Sequence, residues 1–327
     1  MSLGSIPFTL TSNFTAHITG NTTNVNVANL FSNDILYGDN QKTIVIDSGV
    51  TVGAGVHTWG NVQYHANYVF ALYVPGYRGT IYILNKGTIL GGGGRAASSP
   101  DVGLNYNKIQ GEGGTAIYVD GGNPNTRGNG IFIDNQGSIY GGGGAGGLGG
   151  TGGQGYTTST VYYAYPLCTC PVCCGKSCSD TAPCSGGYVS GSGCAEGGNR
   201  WLCPSTAYTY YDGGDGGYGG YGAGSDTGAT PGGGYSGSAG GTNAGDGGDG
   251  GTGGTYGNTG DTGDTGFNGN YTNGSAGSAG GLAGCYLYER RPQYQFSSIV
   301  HFINQGTLGG RTVLDSEPPI PQMPGEF

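Results

Sequence analysis

The chain has 327 residues, 77 of them glycine and 14 proline, with a formal net charge of −9 and only 9% charged residues. That balance excludes a nucleic-acid binder, which needs a basic stripe or patch. The apolar fraction is 35%, and 25 tyrosines contribute to it, so too little Leu and Ile remains for a conventional core. Glycine at this level belongs to a periodic architecture or to disorder, and the spacing decides for the first.

In chain order, residues 1–42 come first and read as an attachment or assembly segment. Residues 1–9 lack the charged and apolar regions of a classical signal peptide. No apolar run approaches the ~20 residues that cross a bilayer. The chain is therefore expected to fold in the cytoplasm that makes it, and the Asn-x-Ser/Thr sequons at Asn13, Asn21, Asn270 and Asn273 carry no weight.

Residues 43–140 form a β-repeat region. The copies read TIVIDSGVTVGAG from Thr43, GTIYILNKGTILGGGG from Gly79 and GIFIDNQGSIYGGGG from Gly130; SIVHFINQGTLGG follows later, from Ser298. Each has an alternating β-branched run, an Asn/Asp-x-Gly turn signal and a second short run. The copies read as β-arches or hairpins.

Glycine then takes strict phase over 141–155 and 212–284. One row is Gly141, Gly144, Gly147, Gly150 and Gly153, and a second holds at 143/146/149/152/155. A long single row follows at Gly245, Gly248, Gly251, Gly254, Gly257, Gly260, Gly263, Gly266 and Gly269. A period of three matches polyproline II. Collagen shares the period but needs abundant proline, and the 245–269 run has none. Residues 213–284 would reach roughly 220 Å unbroken, against a radius of about 20 Å for a compact domain of this size. The chain must double back, and the phase slips near Ala223, Pro231, Asn243 and Tyr271 mark the reversals. The expected fold class is mostly irregular and β: short β-arch or hairpin repeats feeding a bundle of polyglycine/polyproline II helices, with a small Cys-rich insert.

The insert is 156–211. It carries Cys168, Cys170, Cys173, Cys174, Cys178, Cys184, Cys194 and Cys203, dense enough for a stapled module. Disulfides are the first reading. Zinc is the second, with Cys170-x2-Cys173 as a half-site; no other cofactor is expected. The same insert holds Tyr162, Tyr163, Tyr165, Trp201, Tyr208, Tyr210 and Tyr211. Such rings present a flat apolar face and a polar tip, suited to sugars and to outer-membrane loops, and these residues are the candidate receptor-binding set. Residues 285–312 return to a β-repeat, and 313–327 are a Pro-rich tail.

Nothing points to an active site. His57, His65 and His301 form no metal or triad motif, and no phosphate loop occurs. Paired carboxylates for glycoside cleavage depend on three-dimensional separation, and Asp101 with Glu112, or Asp120 with Asp134, are the pairs folding would have to bring together. Asp212, Asp215, Asp246, Asp249, Asp261 and Asp264 read as a solvated outer face; the nonapeptide calcium repeat is absent.

The segments VIDSGVTVGA, ILNKGTILGGGG and IDNQGSIYGGGGAGGLGGTGG, followed by glycine triplets broken by variable loops, resemble the glycine-rich tail-fibre and tail-tip adhesins of tailed bacteriophages, of the polyglycine II sandwich type. The similarity runs from about Thr43 to Gly310. It implies a virion protein whose loops at one end select the receptor, with no enzymatic activity. The implied partners are a bacterial surface glycan or outer-membrane protein and other tail proteins, with a homotrimer as the candidate assembly. The cysteine module lies outside that pattern. Two other classes stay open: a structural glycine-rich surface or filament protein without receptor binding, and a polysaccharide-degrading tailspike.

Overall fold

The computed structural model describes residues 8–12, 14–55, 57–59, 62–64, 70–95, 111–120, 129–166, 188–189, 200–290 and 298–315. The alternating β-branched runs favour pleated backbone, and each forms strands that wind as coils. Strand β1 (Phe8–Ser12) lies antiparallel on β2 (Thr15–Ile18); β2, β3 (Thr22–Thr23) and β4 (Val25–Asn26) make the first coil. A 3₁₀ turn (Val27–Asn29) and the one-turn helix α1 (Asn33–Leu36) lead to the second coil. That coil holds β5 (Gln41–Ile46), β6 (Thr51–Gly53) and, beyond an excursion containing the hairpin β7 (His57–Trp59) and β8 (Val62–Tyr64), β9 (Leu72–Val74). The third coil is β10 (Thr80–Asn85), β11 (Thr88–Leu90) and β12 (Ile117–Asp120). The fourth begins with β13 (Gly130–Asn135) and β14 (Ser138–Tyr140). It is interrupted by a long excursion containing β15 (Gly155–Pro166), β16 (Tyr188–Val189) and β17 (Arg200–Tyr211), and closes with β18 (Cys285–Arg290). The fifth is β19 (Val300–Asn304), β20 (Thr307–Gly309) and β21 (Arg311–Asp315).

Every coil gives one strand to each of three sheets. The orders are β2-β5-β10-β13-β19, with β1 on the outside; β3-β6-β11-β14-β20; and β4-β9-β12-β18-β21. All coil-to-coil pairings are parallel. The result is a three-walled β-solenoid whose inward side chains stack in ladders. Ala16, Ile44, Ile83 and Ile133 align on the first wall, Val52, Ile89 and Ile139 on the second, and Val25, Leu72, Ile117 and Leu287 on the third. All are buried and belong to one core cluster, so a chain poor in Leu still has a continuous apolar interior.

Of the two readings, β-arch and hairpin, this pairing excludes the hairpin. Asn-x-Gly is the corner between the first and second walls, and the two runs it joins lie in different sheets. Asn85 and Asn135 are fully buried there. The Asn85 carboxamide donates to Asn135 Oδ1 at 2.7 Å and to the Ser138 carbonyl at 3.1 Å, and Asn135 donates to the Gln305 carbonyl at 2.5 Å. A buried amide needs such partners, and the next coil supplies them, which makes the repeats stack in parallel. The expected fold class, short β-arch or hairpin repeats feeding a bundle of polyglycine/polyproline II helices with a small Cys-rich insert, is corrected accordingly. The fold is β-rich on three parallel sheets, with almost no helix among the described residues.

The three excursions that interrupt a coil leave the solenoid at the same corner, between second and third strands: after β6, after β11 and after β14. The last one carries the glycine tracts and a ribbon in which β15 and β17 pair antiparallel over their full length.

Candidate functional site

The glycine tracts are bonded laterally, backbone to backbone, and hold neither helix nor ladder strand over 141–154, 212–223, 231–240, 244–255, 258–269 and 273–284. Ordering glycine is entropically costly, and polar backbone must find partners when buried. Tract 141–154 meets both demands from the centre. Its Gly146, Gly149 and Gly152 donate to Gly220, Gly217 and Gly214, and its Gly147, Gly150 and Gly153 donate to Asp261, Asp264 and Phe267, all at 2.8 Å. The two glycine rows read from the sequence meet directly: Gly245, Gly248, Gly251, Gly254 and Gly257 donate to Gly153, Gly150, Gly147, Gly144 and Gly141. Gly260, Gly263, Gly266 and Gly269 donate to Gly281, Ser278, Ser275 and Thr272.

Hydroxyls and amides complete what the carbonyls leave. Ser278 Oγ, Ser275 Oγ and Thr272 Oγ1 each accept at 2.7 Å from the N–H of Leu148, Thr151 and Gln154. Asp249 and Asp246 accept from the N–H of Gly237 and Gly240 at 3.0 and 2.9 Å. The solenoid grips the near end: Asp226 Oδ1 accepts from Gly93 N–H at 2.7 Å, Ser225 Oγ donates to the Ala54 carbonyl, and Gly222 N–H donates to Gly94 at 2.8 Å.

At the far end two chain reversals and the root of the ribbon converge. Asn243 takes a left-handed conformation, φ 60, which Asn tolerates better than most residues. The Asn243 and Asn270 side chains both donate to the Tyr156 carbonyl, at 3.2 and 3.1 Å. Asn270 Oδ1 accepts the Tyr156 N–H at 2.8 Å. Above this knot four tyrosines gather. Ring centroids of Tyr156 lie 5.5 Å from Tyr208, 6.3 Å from Tyr210 and 6.0 Å from Tyr271, and Tyr210 lies 5.0 Å from Tyr271. Tyr208, Tyr210 and Tyr271 are each more than half exposed.

Of the seven candidate binding residues, Tyr208 and Tyr210 thus enter one cluster. Tyr162 lies further along the ribbon, exposed and paired in register with Pro204. Tyr211, opposite Gly155, is half-buried at the root. Tyr163 and Tyr165 are paired in register with Cys203 and Trp201; the side chains of these four lie outside the described part. The other insert cysteines, Cys168 to Cys194, fall outside the described residues altogether. Tyr156 and Tyr271 were not among the candidates. Their signal is positional: one is the first residue after the glycine phase ends, the other sits at a phase slip.

The carboxylates read as conceivable pairs do not come together. Asp120 lies on the third wall, 3.4 Å from the Arg290 guanidinium. Asp134 lies on the first wall, where a hydrogen bond from Asn304 at 2.7 Å holds its carboxyl below the usual range; burial opposes this, and Tyr82 and Gln136 add to it. Glu112 is ion-paired with Arg311, and Asp101 lies outside the described residues. On the third wall Tyr118 stacks on Phe70 and Tyr288, with centroids 4.2 and 5.3 Å away. Burial, with the Asp120 charge second, pushes its hydroxyl up to about 12. His301 stacks on Phe132 at 5.3 Å. Among the described residues no group of three or more His, Cys, Asp or Glu is placed to hold a metal ion.

The chain matches the family model described as phage tail fibre adhesin Gp38 over residues 13–199. Comparison with curated proteins and with solved structures returns no match. The matched region covers more than half of the chain and spans most of the solenoid, the central glycine tract and the first arm of the ribbon. The chain belongs to the Gp38 family of phage tail fibre adhesins and is a component of the virion's tail fibre.

Proposed function

We propose that the far end of the glycine bundle is the receptor-binding end of this adhesin. There it holds a bacterial surface glycan or outer-membrane protein against the Tyr156, Tyr208, Tyr210 and Tyr271 cluster without cleaving it. The carrying observation is the convergence of two tract reversals and the ribbon root at the end opposite the solenoid, under a cluster of exposed rings. A stiff mount lowers the entropic cost of binding, and tyrosine adds contact area with few torsions to freeze. The ribbon extends the reach: twelve residues per arm span about 40 Å, with Tyr162 along it. For the cysteine stretch between the arms we keep two closures, disulfides or zinc. The solenoid, far from this end, is the part that joins the chain to other tail proteins.

The test is host adsorption by particles carrying Tyr208→Ala, Tyr210→Ala and Tyr271→Ala together. Adsorption is expected to fall by an order of magnitude or more, since clustered aromatic hot spots each cost ~2 kcal/mol or more, with an unchanged melting temperature. Unchanged adsorption would refute this site and favour a purely structural role. Measurable release of sugar fragments from host polysaccharide would favour the tailspike reading.

A further inference from the structure

One long side of the glycine bundle carries a second aromatic surface that the distal site does not use. In tract 212–223 the row 213/216/219/222 packs on the central tract, against the carbonyls of Gly152, Gly149, Gly146 and Gly143. The row 214/217/220 packs against Ser238, Tyr235 and Gly232. The third row therefore points outward: Asp212, Asp215, Tyr218 and Tyr221, all exposed. Alongside runs the neighbouring tract, joined to it by Tyr235 N–H to the Tyr218 carbonyl and Gly232 N–H to the Tyr221 carbonyl, both 2.8 Å. Tyr221 leans over Gly232, where a Cβ would strike its ring. Tyr218, Tyr221 and Tyr235 remain 56%, 44% and 63% exposed.

Three features say what this strip fits. Tyr218 and Tyr221 stand three residues apart on one tract, at most about 10 Å for extended backbone, comparable to a disaccharide repeat in an extended β-linked chain, and Tyr235 flanks Tyr218 on the neighbouring tract. The surface between them is flat because glycine supplies it. Its charge is acidic: the outward row carries Asp212 and Asp215, both exposed, and residues 212–241 contain no Lys or Arg, so phosphorylated or uronate-rich polymers are repelled while sugar hydroxyls find carboxylate acceptors. Mutual stacking does not account for the rings. Among the described residues none of the three stacks on another aromatic ring, in contrast to the distal cluster, and each keeps much of its area in water.

We propose that Tyr218, Tyr221 and Tyr235 form a lateral binding strip for an extended, neutral, β-linked polysaccharide of the bacterial surface, separate from the distal receptor site. Tyr218 and Tyr221 lie in line and engage successive repeats of a linear polymer, while Tyr235, beside Tyr218, widens the platform at one end.

The experiment titrates the purified full-length chain with hexasaccharides of β-linked glucose and of β-linked N-acetylglucosamine, with a sulfated oligosaccharide as the anionic control. Binding of a neutral hexasaccharide is expected, with none for the control. It should weaken about 2- to 10-fold for each ring removed in Tyr218→Ala, Tyr221→Ala and Tyr235→Ala. The three Tyr→Phe variants, which keep the rings, should retain most of it, and an unchanged melting temperature of the alanine variants separates lost binding from misfolding. No binding of either neutral hexasaccharide overturns the proposal, as does undiminished binding by the triple alanine variant, or loss of binding on substituting Tyr208, Tyr210 and Tyr271 instead. Host adsorption by the Tyr208, Tyr210 and Tyr271 variant, read in parallel, reports on the distal site, and hexasaccharide binding by the Tyr218, Tyr221 and Tyr235 variants reports on the strip, so the two readings fail separately.

Discussion

The solenoid and the glycine bundle solve the same problem, a folded interior in a chain short of Leu, by opposite means. In the solenoid, side chains do the packing: Ile44, Ile83 and Ile133 stack from coil to coil and the backbone bonds run along sheets. In the bundle the interior is backbone. Gly141 to Gly147 are buried with a single Ala among them, and what meets across tracts is carbonyl against α-carbon. The lesson is that cohesion there comes from satisfied hydrogen bonds and close approach more than from apolar burial. The two regions should therefore respond oppositely to added and to removed atoms.

The largest effect sharpens that contrast. Gly146→Val places a Cβ on the Gly251 carbonyl oxygen, where backbone cannot yield as a side chain would. The bundle is expected not to form, a loss beyond about 4 kcal/mol, seen as proteolysis within 141–284 while the solenoid stays protected. Normal folding of this variant would break the comparison. Next comes removal of atoms: Ile83→Ala opens a cavity in the solenoid ladder and should cost about 2–5 kcal/mol, read as a shift in the denaturation midpoint. The smallest is Ser275→Ala with Ser278→Ala. Each leaves an exposed N–H, of Thr151 or Leu148, without its hydroxyl acceptor. About 0.5–1.5 kcal/mol is the upper range for each, with water making up part of the loss, so hydrogen exchange at those two amides should accelerate while the melting temperature hardly moves.

Some of this was legible before the structure. The four Asn/Asp-x-Gly repeats were found at the right places, but their partners were not, because a turn signal fixes only that the chain changes direction. Whether the second run folds back on the first or starts a new wall depends on what the buried amide bonds to, and for Asn85 that is a residue fifty positions away. The phase slips near Asn243 and Tyr271 coincide with reversals, but the chain also reverses at Tyr256–Gly257, inside the unbroken 245–269 row, because glycine can turn there without leaving phase. Tyr156 and Tyr271 carry a positional signal at the edges of the glycine phase, but that signal does not say which rings meet; each matters through a neighbour more than fifty residues distant. The hydroxyl row Thr272, Ser275 and Ser278 shares the triplet period and was visible, yet its role as acceptor for the central tract needed the tract to be in place.

Composition and period by themselves determined that the chain is anionic, glycine-periodic and forced to double back, and the repeat motifs pointed to its kinship. Those properties are local: φ,ψ preference, ring content and charge are set by residue type and nearest spacing. The tertiary structure alone decided that the repeats stack in parallel as three walls, that the three excursions interrupting a coil leave one corner, and that two of the seven candidate rings cluster while Tyr162 stands apart. Each of these rests on hydrogen bonds and contacts between residues far apart in sequence, whose partners a single strand of sequence leaves undetermined until the chain has closed on itself.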